Sequence, residues 1–260
     1  MRRMIRMGEG TRPTVLLHGF LGQAKNLRSF AQRWSERDPS RRFLLLDLPG
    51  HGPDGPPLTE ETDLRAMGRD VLARARGAGF EGPLELVGHS LGGRVSLAAS
   101  LAEPQSVSAV SVLDITPGPI PTESSESHSV LQRLRQAPDG VAERRELRDF
   151  LIGTKLSAPL TDWLMMNVEE REGRYHWRFD REALHRLHLR VNPEDLWAAV
   201  ERPGARVQCV RGGRSAYVSE GDVERMQRAG CPVTTIPGVG HFLHVEATDA
   251  VLDAVVGFLG

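Results

Sequence analysis

Four scarcities narrow what this 260-residue chain can be. It has only two cysteines, Cys209 and Cys231. Two are too few for a disulfide framework, so both are expected to be buried or half-buried thiols. It has no apolar run near the roughly 18 residues of a membrane-spanning helix. Its first residues, Met-Arg-Arg-Met-Ile-Arg-Met-Gly, contain no apolar stretch like that of a secretory signal. The expectation is a cytoplasmic protein with no membrane span. It also lacks an excess of either charge: 33 Lys and Arg face 34 Asp and Glu, a formal net charge of -1 with His neutral. With no long basic run, a polybasic nucleic-acid binder is excluded. Lysine itself is nearly missing, with only Lys25 and Lys155, an arginine bias that reads as genome composition rather than function. What is present is ordinary for a globular protein: 40% hydrophobic and 26% charged residues. That is enough apolar material for a core, and the length suits one large α/β domain or one domain carrying an insertion.

Strand and helix patterns alternate along the chain, which predicts a mostly parallel central sheet with helices on both faces. Short apolar runs at 14–17, 43–46, 84–87, 107–115, 207–210 and 233–236 read as strands. Between them, Leu27, Phe30, Ala31 and Trp34 recur at helical spacing, as do Leu64, Met67, Val71 and Leu72. Further helices are predicted from Leu91 to Glu103, near Asp222 to Ala229, and at the end of the chain through Val251, Leu252, Val255, Val256 and Leu259. The rhythm breaks from about Pro117 to Pro203. That stretch is rich in Arg and Glu, with four helical patterns, one short extended piece at 175–179 and no convincing buried strand. The chain therefore divides into a core of residues 1–116 and 204–260 and a helical insertion of residues 117–203. It has no internal repeat or low-complexity segment.

The strongest chemical signal is Gly88-His89-Ser90-Leu91-Gly92. A G-x-S-x-G pattern alone is weak, but this one closes an apolar strand and opens a helix. A sharp strand-to-helix turn would strain Ser90 and expose its Oγ at the sheet edge, with the helix N-terminus favouring a developing oxyanion. A serine hydroxyl needs a base to take its proton. Of nine histidines, His241 in Gly238-Val-Gly240-His241 is the candidate, because it follows the last strand and precedes the last helix. His244 reads as the approach to that helix, His89 as a neighbour behind the nucleophile, and His18 as shaping a loop. His128, His185, His188 and His176 lie in the insertion without metal-ligand spacing. An oxyanion hole needs two donors. The Leu91 N–H and the Phe20 N–H, in His18-Gly19-Phe20-Leu21-Gly22, are the candidates.

At this point the chain resembles the α/β-hydrolase superfamily. His18-Gly19-Phe20, Asp47-Leu-Pro-Gly-His51-Gly52, Gly88-His-Ser-Leu-Gly92 and Gly240-His241 follow one another in the expected order, over nearly the whole chain. The resemblance implies an α/β-hydrolase fold with the insertion as a cap domain. In most of that superfamily the third catalytic group is an Asp after the penultimate strand, where this chain has Ser215. A serine cannot hold negative charge beside an imidazolium. The alternative position is Asp114 at the end of the strand after the nucleophile helix, with Glu220 and Asp222 left as further candidates. Asp114-Ile-Thr-Pro117, Gly213-Arg-Ser-Ala-Tyr-Val-Ser219 and Gly240-His-Phe-Leu-His-Val-Glu246, together with Asn26-Leu27 and Arg178-Phe179, look like the abhydrolase-11 and YbfF-type esterases.

That likeness implies a serine hydrolase of carboxylic esters or thioesters of short to medium acyl chains. Ser90, Asp114 and His241 would be its catalytic groups, Phe20 and Leu91 its oxyanion donors, with no cofactor and no metal. Leu21, His89, Arg94, Trp163 and Trp177 are candidate substrate contacts, with the apolar residues of the insertion forming either an acyl pocket or its own core. A second likeness points elsewhere. His18-Gly-Phe-Leu-Gly22 and Ser90-Leu-Gly-Gly-Arg94 also resemble the MenH-type 2-succinyl-6-hydroxy-2,4-cyclohexadiene-1-carboxylate synthases, lyases that eliminate pyruvate. In that reading Arg94 would bind a carboxylate. A hydrolase-fold binding protein without activity is the third alternative, which an intact Ser, acid and His set argues against.

Overall fold

The structure, a computed structural model, describes residues 4–121, 125–202 and 204–260. The boundary drawn at Pro203 and the first three residues lie outside the described residues. In chain order the first half comprises β1 (Ile5–Met7), β2 (Arg12–Leu17), α1 (Arg28–Arg37), β3 (Arg41–Leu46), α2 (Leu64–Gly77), β4 (Leu84–His89), α3 (Leu91–Ala102) and β5 (Val107–Leu113). The stretch that follows folds as α4 (Glu126–Gln136), α5 (Arg144–Gly153), α6 (Ala158–Leu164), β6 (Val168–Arg171), β7 (Arg174–Trp177), α7 (Arg181–Val191) and α8 (Ala198–Glu201). The chain closes with β8 (Arg206–Gly212), α9 (Glu220–Arg228), β9 (Val233–Ile236), α10 (Leu243–Glu246) and α11 (Thr248–Leu259).

Seven strands make one sheet in the order β1-β3-β2-β4-β5-β8-β9, with every pairing parallel except that of β1 with β3. The side chains of the central strands alternate between two apolar layers, as the period of a strand requires. Val15, Leu17, Leu44, Leu46, Leu86 and Val112 pack on one face with α2 and α3. Leu16, Phe43, Leu45, Val87, Ala109 and Leu113 pack on the other with α1 and α11. The first of these layers is continuous with the buried side chains of α4, α5 and α7, including Val130, Leu134, Leu147 and Leu184. Among the described residues no helix is long and apolar enough to cross a membrane.

Four details differ from the sequence reading. The edge strand β1 was not expected: it has three residues, only partly buried. The piece at 175–179 is half of a hairpin, β6 with β7, turned through Glu172 and Gly173, both at positive φ. Its charged, exposed residues carry no apolar alternation to announce it. The two four-residue helices α8 and α10 are too short to show a period. The strand expected to run to Ile115 ends at Leu113, because Asp114 turns into the left-handed region at φ 58. Cys209 and Cys231 are free and buried, and burial raises both thiol pKa values, that of Cys231 to about 12.

Candidate active site

Ser90 sits between β4 and α3 at φ 52 and ψ -119, a conformation that a residue with a Cβ rarely adopts. The turn is tight enough to dictate its flanking residues. A Cβ on Gly88 would lie 2.2 Å from the Gly92 carbonyl, and one on Gly92 would lie 2.4 Å from the Leu17 oxygen. The elbow is held by the Ser90 N–H, which donates to the Leu113 carbonyl at 2.9 Å. Leu91 then opens α3, whose first N–H groups have no acceptor within the helix.

The ends of β5, β8 and β9 bring two further groups beside this turn. Asp114 is fully buried. Its Oδ1 accepts the Gly212 N–H at 2.8 Å, and its Oδ2 accepts from both the Ser215 hydroxyl and His241 Nδ1, the latter at 2.7 Å. With a carboxylate on Nδ1, that nitrogen carries the proton and Nε2 is left with its lone pair free to accept one. Ser90 and His241 line the same cavity. Among the described residues no hydrogen bond joins their side chains, a bond that commonly tightens only with substrate in place. Ser215, standing where an acid is usual, has become a donor to the acid instead. The other acid candidates are elsewhere. Asp222 caps α9 and accepts from Thr116, while Glu220 pairs with Arg211 at the surface.

His89 and His244 back the site. The His89 Nε2–H donates to the His241 carbonyl at 2.8 Å, and its ring lies 4.4 Å from that of His244. Burial holds His89 well below its ordinary pKa and takes His244 down to about 3. Tyr217 was not singled out from the sequence. Its ring stacks on His241 with centroids 4.0 Å apart, and its hydroxyl bonds to Ser127 at the start of α4. Burial raises the Tyr217 pKa. A Tyr two residues beyond Ser215 carries no local signal for this role.

The cavity at Ser90 is small, about 60 Å³, and mostly apolar: Phe20, Leu21, Val130, Leu160, Trp163 and Phe242 join Ser90, His89 and His241 in lining it. A larger cleft of about 930 Å³ adjoins it along Glu126, Tyr217 and His241, lined by Ser215, Asp222 and Arg214 as well as by Ile120 and Trp197. The larger one does not contain Ser90, so the small cavity is where chemistry at Ser90 would occur. Of the expected substrate contacts, Leu21, His89 and Trp163 line this cavity, with Trp163 against Phe242 at 5.4 Å.

Two expected substrate contacts are corrected. Trp177 is 3% exposed, stacks on Phe179, donates Nε1–H to the Pro138 carbonyl at 3.1 Å and lines neither cavity. Arg94 is 1% exposed and lines neither cavity. Its guanidinium donates to the carbonyls of Thr116, Gly118, Val191 and Glu194, tying α3 to both ends of the insertion, and burial lowers its pKa to about 10. It makes neither the substrate contact nor the carboxylate contact expected of it.

Among the described residues no cluster of His, Cys, Asp and Glu is arranged to hold a metal. The buried histidines outside the Ser90 cavity make a pH-dependent contribution to stability. Burial, the largest cause for each, lowers His18 and His188 to about 4 and His51 and His244 to about 3. The unfolded chain, with its histidines near 6.5, binds more protons between these values. Stability is therefore full above about pH 6.5 and lost as pH falls toward 4. The urea midpoint is expected to fall steadily from pH 6.5 to 4.5, with uptake of at least about four protons on unfolding at pH 5, His89 adding to the four rings above. A flat midpoint across that interval would contradict the neutral buried state of these rings.

The comparisons with known proteins agree with this architecture. The chain is 28% identical over 262 residues to the sn-1-specific diacylglycerol lipase ABHD11 of Danio rerio, covering 97% of this chain and 79% of the relative. It is 23% identical over 250 residues to esterase YbfF of Escherichia coli K12, covering 95% and 92%. A solved marine microorganism esterase superposes with a TM-score of 0.86 at 22% identity, covering 98% of each chain, which shows a shared fold. The model of the alpha/beta hydrolase family matches residues 14–254, and with a seven-stranded, mostly parallel sheet carrying Ser90 at the sharp turn between β4 and α3, the chain belongs to that family.

Proposed function

We propose that the protein is a serine hydrolase of carboxylic esters or thioesters that works through an acyl-enzyme. The observation that carries this reading is the 2.7 Å bond from His241 Nδ1 to the buried Asp114, with Ser90 strained at its turn in the same cavity. The names of the relatives, a diacylglycerol lipase and an esterase, support the same substrate class.

In this mechanism Ser90 Oγ attacks the carbonyl carbon as His241 Nε2 takes its proton. Asp114 keeps the imidazole in the tautomer that can accept and stabilises the imidazolium that forms. The N–H groups of Leu91 and Phe20 receive the oxyanion of the tetrahedral intermediate. The imidazolium protonates the leaving alcohol or thiol, which departs and leaves the acyl group on Ser90. A water, deprotonated by His241, then attacks the acyl-enzyme, and Ser90 recovers its proton as the acid leaves. Residues 117–203 act as a cap over the core of 1–116 and 204–260, supplying Val130, Leu160 and Trp163 to the acyl side. The lyase reading loses its carboxylate binder, since the Arg94 guanidinium is spent on four backbone carbonyls.

The test is a series of p-nitrophenyl esters from acetyl to dodecanoyl, run beside a fluorophosphonate probe. A cavity of about 60 Å³ at Ser90 leads us to expect kcat/KM to peak at the short end and fall with each added pair of carbons. A wild-type protein that turned over no ester and stayed unlabelled would reject the hydrolase reading. A peak at dodecanoyl would reject the small pocket alone.

A further inference from the structure

We propose that Asn167, a residue of the insertion, is a positioning residue for the oxyanion hole, so that the insertion takes part in stabilising the transition state as well as in covering the site. The proposal rests on the reading of Ser90 as nucleophile and of the Phe20 N–H as an oxyanion donor. Phe20 lies in the turn Gly19–Gly22, and that turn is pinned from two directions. On the entry side the Gly19 carbonyl accepts from the Gly22 N–H at 3.0 Å and from His18 Nδ1–H at 2.8 Å. His18 is itself fixed by the Leu48 N–H, which donates to its Nε2 at 3.0 Å. These groups all belong to the core.

On the exit side the fixing group comes from the insertion. Asn167, 2% exposed, donates Nδ2–H to the Leu21 carbonyl at 2.9 Å and more weakly to that of Leu164 at 3.4 Å. Gln23, just past the turn, returns the contact: its Nε2 reaches the Met166 carbonyl at 3.2 Å and Asn167 Oδ1 at 3.5 Å. Leu21 needs such support. It holds φ 62, a left-handed conformation that a residue with a Cβ adopts only where its surroundings over-determine it. The dihedrals of Leu21 set the path of the turn that carries the Phe20 N–H. Oxyanion donors act at 2.7–3.1 Å, and small misplacements of such groups are costly to rate. Asn167 does not line the Ser90 cavity, so its effect passes through Leu21 and not through contact with substrate.

Asn167→Ala and the isosteric Asn167→Asp, which keeps an acceptor for Gln23 but loses the donor to Leu21, test this with the best p-nitrophenyl ester. We expect kcat to fall about 10- to 100-fold with KM within about twofold of wild type. Affinity for a trifluoromethyl ketone, whose tetrahedral adduct bears the oxyanion, should fall in parallel, while inhibition by the product carboxylate stays unchanged. Asn167→Asp carries the test if Asn167→Ala does not fold. A folded variant with wild-type kcat overturns the proposal. So does a loss of kcat with unchanged ketone affinity, since a general structural defect would look like that. Failure of the reading beneath it is separate, because wild-type protein would then remain unlabelled at Ser90 by the fluorophosphonate.

Discussion

Ser90→Ala is expected to lower kcat for ester hydrolysis by about 10⁶-fold, the scale at which removing the nucleophile of a serine triad acts. The loss should be confined to chemistry. Alanine keeps the Cβ that Ser90 already carries at φ 52, so the strain of the turn is unchanged, and among the described residues the hydroxyl has no hydrogen bond to lose. The thermal midpoint should therefore stay within about a degree of wild type, and KM should change little because the apolar lining is untouched. Stopped-flow release of p-nitrophenol, with intact mass after fluorophosphonate treatment, checks both halves. The wild type should gain one adduct and the variant none. A variant that kept even a hundredth of the activity after repurification would mean that the acyl group does not pass through Ser90.

The order of the elements was legible because each core strand is a short apolar run bounded by turn residues, and each core helix repeats its apolar side chains at 3.6-residue spacing. What escaped is short or solvent-facing. β1 has three residues, α8 and α10 have four each, and the β6–β7 hairpin shows its charged residues to water. The same division runs through the site. Ser90 and His241 stand in local patterns fixed by backbone geometry, and Asp114 could be inferred because Ser215 occupies the usual acid position. Tyr217 and Asn167 had no such pattern. One stacks on a ring 24 positions away, the other donates a side-chain hydrogen bond to a carbonyl 146 positions away, and only the fold makes these pairs neighbours. Arg94 misled for the complementary reason. Four residues after Ser90 it looks like a group for substrate, yet it is 1% exposed and faces carbonyls, which sequence spacing does not reveal.

Asp114→Asn is expected to cost about 10⁴-fold in kcat while leaving the fold intact, and the reason lies in the donors around the carboxylate. Oδ1 receives the Gly212 N–H, and Oδ2 receives His241 Nδ1–H together with the Ser215 hydroxyl. An amide can satisfy only part of this set. With its NH₂ toward Gly212, two N–H groups face each other in a fully buried site, at a cost of about 1–3 kcal/mol. With its NH₂ toward His241, the Ser215 hydroxyl can rotate to accept, but the imidazole must give up the Nδ1 proton and carry one on Nε2. In that tautomer it cannot take the proton of Ser90. The second orientation is the one expected, since a hydroxyl can turn and the Gly212 N–H cannot. Glu220→Gln and Asp222→Asn serve as controls: neither side chain reaches His241, so kcat should stay within about twofold, with Asp222→Asn losing about 0.3–1 kcal/mol of stability as the acid of the Ser219 capping box loses its charge at the N-terminus of α9. The double variant Asp114→Asn/Ser215→Asp makes the sharper test. Ser215 Oγ already bonds the carboxylate oxygen that His241 uses, so an acid at 215 stands close enough to restore the Nδ1–H partner. Recovery of at least about 10-fold over Asp114→Asn would show that the need is for negative charge at His241 Nδ1 and not for a particular loop. An Asp114→Asn enzyme of near wild-type activity would remove Asp114 from the mechanism altogether.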